Sequence, residues 1–193
     1  MKLLKKEIKD FFCNYKSWLL IIMISFIPYY YEMRKIKMQN IMYILFTTMA
    51  PLQYVYESFL TDIKTKSIVF IYNIRNSFIR LYFRKILLSF ILLGVTFLLS
   101  LPYTIKYLKM IDFFWIIPWM IFCVSLMQIA AILSKGAEIT SAVFTLGIAF
   151  ILLMFLLTIN NILIIILISI CLALVSFFAA WKLSESNFYR TQI

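Results

Sequence analysis

Residues able to do chemistry are few in this chain, and their types narrow the chemistry sharply. It contains no histidine, which removes histidine-based triads, histidine metal sites and histidine proton relays together. Membrane peptidases that pair a cysteine with a histidine are excluded on the same ground. The three cysteines, Cys13, Cys123 and Cys171, are odd in number and lack CxxC spacing, so neither a disulfide framework nor a metal cluster is expected. Cys123 and Cys171 read as small apolar residues inside helices. No acidic pair or nucleophile–base pair can be assembled, so the expectation is no catalytic residues, no metal and no cofactor, and a protein that is not an enzyme. The remaining polar groups sit in apolar surroundings. They are Thr47, Thr48 and Gln53 in one apolar run, with Ser125 and Gln128 in another. Such isolated groups commonly form helix–helix hydrogen bonds. Glu57 either snorkels to an interface or pairs with Arg75, Arg80 or Arg84.

The elements that must carry these residues are membrane helices. Of the 193 residues, 64% are hydrophobic and 14% charged, whereas a soluble domain is about 45–50% apolar and about 25% charged. A water-soluble fold is therefore excluded. Disorder is excluded by the wealth of aromatic and branched residues. The fold class expected is all-α, a polytopic helical membrane protein and a single transmembrane domain over 1–193. Six runs reach the ~17–25 residues needed to cross the hydrocarbon, at about 17–33, 41–59, 85–103, 113–133, 140–159 and 162–181. None alternates as a barrel strand would. Asn160-Asn161 separates the last two runs and reads as a tight turn between antiparallel helices. Pro51 and Pro118 are expected to kink their helices.

The net charge of +11 lies mostly beside apolar runs, where basic residues set membrane orientation; no nucleic-acid partner is expected. Placing the N-terminus in the cytoplasm puts 14 of the 19 basic residues on that side. Both termini are then cytoplasmic, as an even number of spans requires. No cleavable signal peptide is expected, and the first run reads as a retained anchor. The bias toward Ile, Lys and Asn hints at an AT-rich bacterial gene, hence a bacterial cytoplasmic membrane.

Two segments at that face are amphipathic. In 1–16, Leu4, Ile8, Phe11, Phe12 and Tyr15 share one helical face, with Lys5, Lys6 and Lys9 largely off it. This is either a basic flank that sets topology or an elbow helix lying among lipid headgroups, with Trp18 anchoring the start of the span. In the 60–84 loop, Ile63, Ser67, Phe70, Ile71, Ile74 and Phe78 fall on one face. Asp62 suits the start of a short helix, and Asn76 or Ser77 can cap the next. A loop serving topology alone need not carry so many apolar residues, which argues for docking on lipid or on a partner.

This order of elements resembles the membrane subunit of type 2 ABC exporters. The stretch from Asp62 to Tyr72, the break at Asn73 to Ser77, and Arg84-Lys85 leading into the third span carry the local resemblance. The chain departs from the family in lacking glycine after the acid and proline at the break. Asn160-Asn161 also leaves no room for the re-entrant element often found between spans 5 and 6. The resemblance implies a minimal permease subunit that pairs with a second permease copy, as a homo- or heterodimer, and with a cytoplasmic ABC ATPase subunit. Asp62, Ile63, Lys66, Ser67, Phe70 and Ile71 would form the coupling helix seated in the ATPase. Thr47, Thr48, Gln53 and Gln128 would border the translocation path, and Glu57, Arg75, Arg80 and Arg84 a cytoplasmic gate. The absence of a GxxxxGK[ST] loop fits a subunit that binds no nucleotide itself. A Met- and aromatic-rich interior suits amphipathic or hydrophobic cargo, such as a peptide, lipid or drug. Membrane lipids complete the expected partners. The competing readings are a non-transport membrane binding protein, such as a bacteriocin-immunity or assembly factor, and an integral-membrane enzyme.

Overall fold

The computed structural model describes residues 8, 9, 11, 13, 15–36, 40–64, 77–133, 148, 151, 152, 156, 158, 159 and 161–191. Every element among the described residues is helical. They are α1 (Tyr15–Met33), α2 (Asn40–Lys64), α3 (Ser77–Leu99), α4 (Leu101–Tyr107), a 3-10 turn (Met110–Asp112), α5 (Phe113–Leu133) and α6 (Ile162–Thr191). Three stretches are long and apolar enough to cross a membrane: Tyr82–Leu99, Met110–Leu133 and Ile162–Ser184. The apolar part of α1, Trp18–Met33, is shorter. Five of the six expected runs overlap a helix; the run at 140–159 lies largely outside the described residues.

α5 is the central element. It packs most extensively on α6 and also on α2 and α3. It buries Ile116, Trp119, Met120 and Val124 against Tyr43, Val55 and Phe59 of α2. The α5–α6 contact has a simple cause. Ser169, Ala173, Ser176, Ala180 and Ser184 recur at helical spacing, and all are buried. Small residues on one face let two backbones approach closely. The opposite face of α6 exposes Leu167, Leu174, Val175 and Phe178. The outer face of α1 exposes Leu19, Met23 and Phe26. Apolar surfaces of this extent are compatible with a lipid environment.

The helix ends depart from expectation in instructive ways. The third run was expected to continue to Tyr103, but α3 stops at Leu99 and the chain turns at Ser100, because Pro102 cannot supply the next backbone donor. Asn161 caps the start of α6 by accepting a 3.0 Å bond from the Leu163 amide; Asn160, its partner in the expected turn, lies outside the described residues. α1 ends with Lys35 in the left-handed region, at φ 55°. The Ile36 amide then reaches back to the Tyr31 carbonyl at 3.0 Å, a closure usually made by glycine.

Near the N-terminus, Phe11 is 2% exposed. Its ring lies 5.1 Å from that of Trp18 and 4.8 Å, edge-on, from that of Tyr54 in α2. It shares a small core with Ile21, Leu88 and Leu92. Tyr15, assigned by periodicity to the same face as Phe11, is instead 73% exposed.

Candidate functional site

Polar side chains gather at two places in the bundle, at opposite ends of the α2–α3 hairpin. The first, the hydroxyl end, lies where the start of α2 meets the end of α3. Tyr43 is fully buried, with its hydroxyl 2.7 Å from Ser100 Oγ and 2.6 Å from Thr104 Oγ1. Ser100 Oγ donates to the Thr96 carbonyl at 2.8 Å. Three hydroxyl protons satisfy the cluster if Thr104 donates to Tyr43, Tyr43 to Ser100 and Ser100 to Thr96. One turn along, Pro51 leaves the Thr47 carbonyl without its usual donor in the helix. Thr96 Oγ1 of α3 lies 3.3 Å from that carbonyl and 2.8 Å from the Leu93 carbonyl of its own helix. Proline thus creates a free acceptor beside a hydroxyl whose single proton is shared between two carbonyls. Thr47 and Thr48 are buried, and their own hydroxyls bond back to Tyr43 and Ile44 carbonyls within α2.

At the rim of this end, Glu32 at the close of α1 accepts a hydrogen bond from the Tyr103 hydroxyl and another, at 3.2 Å, from Lys106 Nζ. The Lys106 ammonium also lies 5.5 Å from the Tyr107 ring centre. The hydrogen bond to Glu32 is the main cause that raises the Lys106 amine above its ordinary range. Both charged side chains are exposed, so their mutual attraction is largely screened.

The second place, the lysine end, lies where α2 closes and α3 begins. Lys85 is 0% exposed. Its Nζ donates to Ser58 Oγ and lies 5.5 Å from the centre of the Phe59 ring. Nearby, the Tyr82 and Ser125 hydroxyls bond to each other, joining α3 to α5, and the Tyr82 ring meets Phe177 of α6 edge-on at 5.0 Å. Gln128 Nε2 donates to Ser184 Oγ at 3.2 Å, joining α5 to α6. The other amide atom of Gln128, Oε1, is buried with no hydrogen-bond partner among the described residues.

The four residues assigned to a translocation path are not brought together. Thr47 and Thr48 serve the hydroxyl end, Gln128 the lysine end, and Gln53 is exposed on α2, 3.3 Å from Glu57. Glu57 is exposed too, as a snorkelling residue would be. Asp62 and Ile63 fall in the last turn of α2, a helix that began at Asn40. Lys66, Ser67, Phe70, Ile71 and Arg75 lie outside the described residues, and of Arg80 only the backbone is described, near the start of α3. Arg84 is half-buried one residue before Lys85.

Sequence reasoning missed the Tyr43 hub, the Lys85–Ser58 contact and the Glu32–Tyr103–Lys106 group. A signal for the first existed: Tyr43 and Thr47 share a helix face with Pro51, and Thr96, Ser100 and Thr104 recur every four residues. Comparison with family models, with curated proteins and with solved structures finds no match to this chain.

Proposed function

We propose that this chain is the transmembrane permease subunit of an ATP-driven ABC exporter, with six spans and both termini in the cytoplasm. A second permease copy and a separate cytoplasmic ATPase complete the machine, in a bacterial cytoplasmic membrane. The observation that carries the reading is the seating of Phe11 on Tyr54, Leu88 and Leu92. It fastens the N-terminal segment to the middle of the α2–α3 hairpin, on both of the helices that residues 65–76 join. An N-terminal segment held by both helices of the hairpin can move with it, and with the coupling loop, as a unit. The sparse ionisable interior favours an amphipathic or hydrophobic cargo, with energy supplied from outside the chain.

The direction of the helices supports six crossings. Gln128 and Ser184 lie toward the C-terminal parts of α5 and α6, so these neighbours run parallel. Parallel neighbours need a connection that returns along the bundle, and the apolar run at 140–159 has the length for it.

Purification of the tagged chain in gentle detergent tests the proposal. A stoichiometric ATP-binding subunit is expected to accompany it. Phe70→Asp with Ile71→Asp is expected to abolish that association while the chain still inserts. A preparation without an ATPase, repeated after cross-linking in native membranes, would overturn the reading and leave a membrane binding protein of the immunity or assembly type.

A further inference from the structure

We infer that α4 is a hinged lid over the hydroxyl cluster, latched to α1 through Glu32. This inference does not depend on an ATPase partner. The hinge is the break between α3 and α4. Ser100 there leaves helical geometry, at φ −106° and ψ 30°. Pro102 removes the donor that the Leu98 carbonyl would use in a continuous helix. Across the break the backbone is bonded through Ser100, whose amide donates to the Thr96 carbonyl and whose carbonyl accepts from the Tyr103 and Thr104 amides. Side chains add to that pivot: Tyr43 holds both Ser100 and Thr104. Hydroxyl bonds of this kind can be exchanged for water as the helix swings, whereas a helical backbone ladder opens only by unfolding.

The latch lies on the far side of α4. Tyr103 is buried and stacks edge-on against Tyr29 of α1 at 4.6 Å, and its hydroxyl is bonded to Glu32. The exposed Lys106 adds a second bond to the same carboxylate. With α4 docked, the Tyr43 hydroxyl is covered; with α4 swung out, Tyr43, Ser100 and Thr104 would face the aqueous side. Glu32 is exposed, so water takes the place of its carboxylate once that is removed. What is lost is the direct tie from α1 to Tyr103 and Lys106 of α4, and by that tie Glu32 biases the lid toward closure.

Paired spin labels on the full chain in nanodiscs, with the three native cysteines replaced by alanine, test this. One pair, Met33→Cys with Ile105→Cys, spans the hinge; the other, Met33→Cys with Leu98→Cys, stops short of it. All three positions are exposed and tolerate a label. With Glu32 present, both pairs should give one narrow distance. Glu32→Ala should add a longer distance for the 33–105 pair alone, its population rising about two- to fivefold, the scale of an exposed ionic tie. No new distance, or equal broadening of both pairs, would overturn the lid: the first means α4 is fixed, the second that the whole end has loosened.

Discussion

The hydroxyl end and the lysine end place similar numbers of polar groups in similar apolar surroundings, yet they manage them differently. At the hydroxyl end the groups are neutral and short, and they bond to one another or to nearby helix carbonyls. At the lysine end a cation, Lys85, is buried whole, and Gln128 keeps an acceptor without a hydrogen-bond partner among the described residues. Hydroxyls can be buried cheaply because each carries both a donor and an acceptor. An amide or an ammonium has a fixed set of donors and acceptors that the neighbours must match. The first end thus depends on hydroxyls that can turn to suit one another, and the second on how well each fixed group is matched by its neighbours.

The largest effect that could break this comparison is at Tyr43. Tyr43→Ala should lower stability by about 3–5 kcal/mol, because a large buried ring is lost from the join of α2, α3 and α4. Tyr43→Phe should cost about 1–2 kcal/mol, as two hydroxyls lose a shared partner. Tyr82→Phe at the lysine end should cost less, since a single hydroxyl, that of Ser125, loses a partner there. Thermal unfolding of the purified chain in detergent, followed by tryptophan fluorescence, measures all three. Equal losses for the two phenylalanine variants would erase the contrast between the ends.

Gln128 sharpens the comparison. Gln128→Leu removes the orphan acceptor, and Ser184 retains its 2.7 Å bond to the Ala180 carbonyl. Stability should stay level or rise by up to ~1 kcal/mol. A clear loss in the same unfolding assay would mean that Oε1 is already satisfied and that the lysine end is as complete as its counterpart.

The smallest effect lies at the rim of the hydroxyl end. Lys35→Gly should stabilise by about 0.5–1 kcal/mol, because glycine adopts a positive φ without a clash. An unchanged midpoint would place the origin of the α1 terminus in its packing rather than in its cap.

Much of the fold was legible because long helices announce themselves by the length and apolarity of their runs. Ser77 as the start of a helix, the break that Asn161 caps, and the prolines inside α2 and α5 can all be read from residue type. The N-terminal face was half legible. Phe11 is buried as periodicity suggests, but Tyr15 is not, since periodicity locates a face and only the neighbouring helices decide how far along it burial extends. The stripe of small residues on α6 was also in plain view, and its meaning depended on finding α5 opposite it.

By itself, then, the sequence determined an all-helical, apolar chain without histidine chemistry, with its turns set by asparagine and proline. Those properties are local: they follow from backbone donors, side-chain volume and the run length of apolar residues. Tertiary structure alone decided which polar groups meet. Thr47 and Gln128 look alike as isolated polar residues in apolar runs, yet one bonds within its own helix and the other across to α6. Their partners lie 4 and 56 residues away, and no spacing rule within a helix reaches the second. The same holds for Lys85, whose burial against Ser58 and Phe59 exists only because α2 and α3 pack antiparallel at that depth.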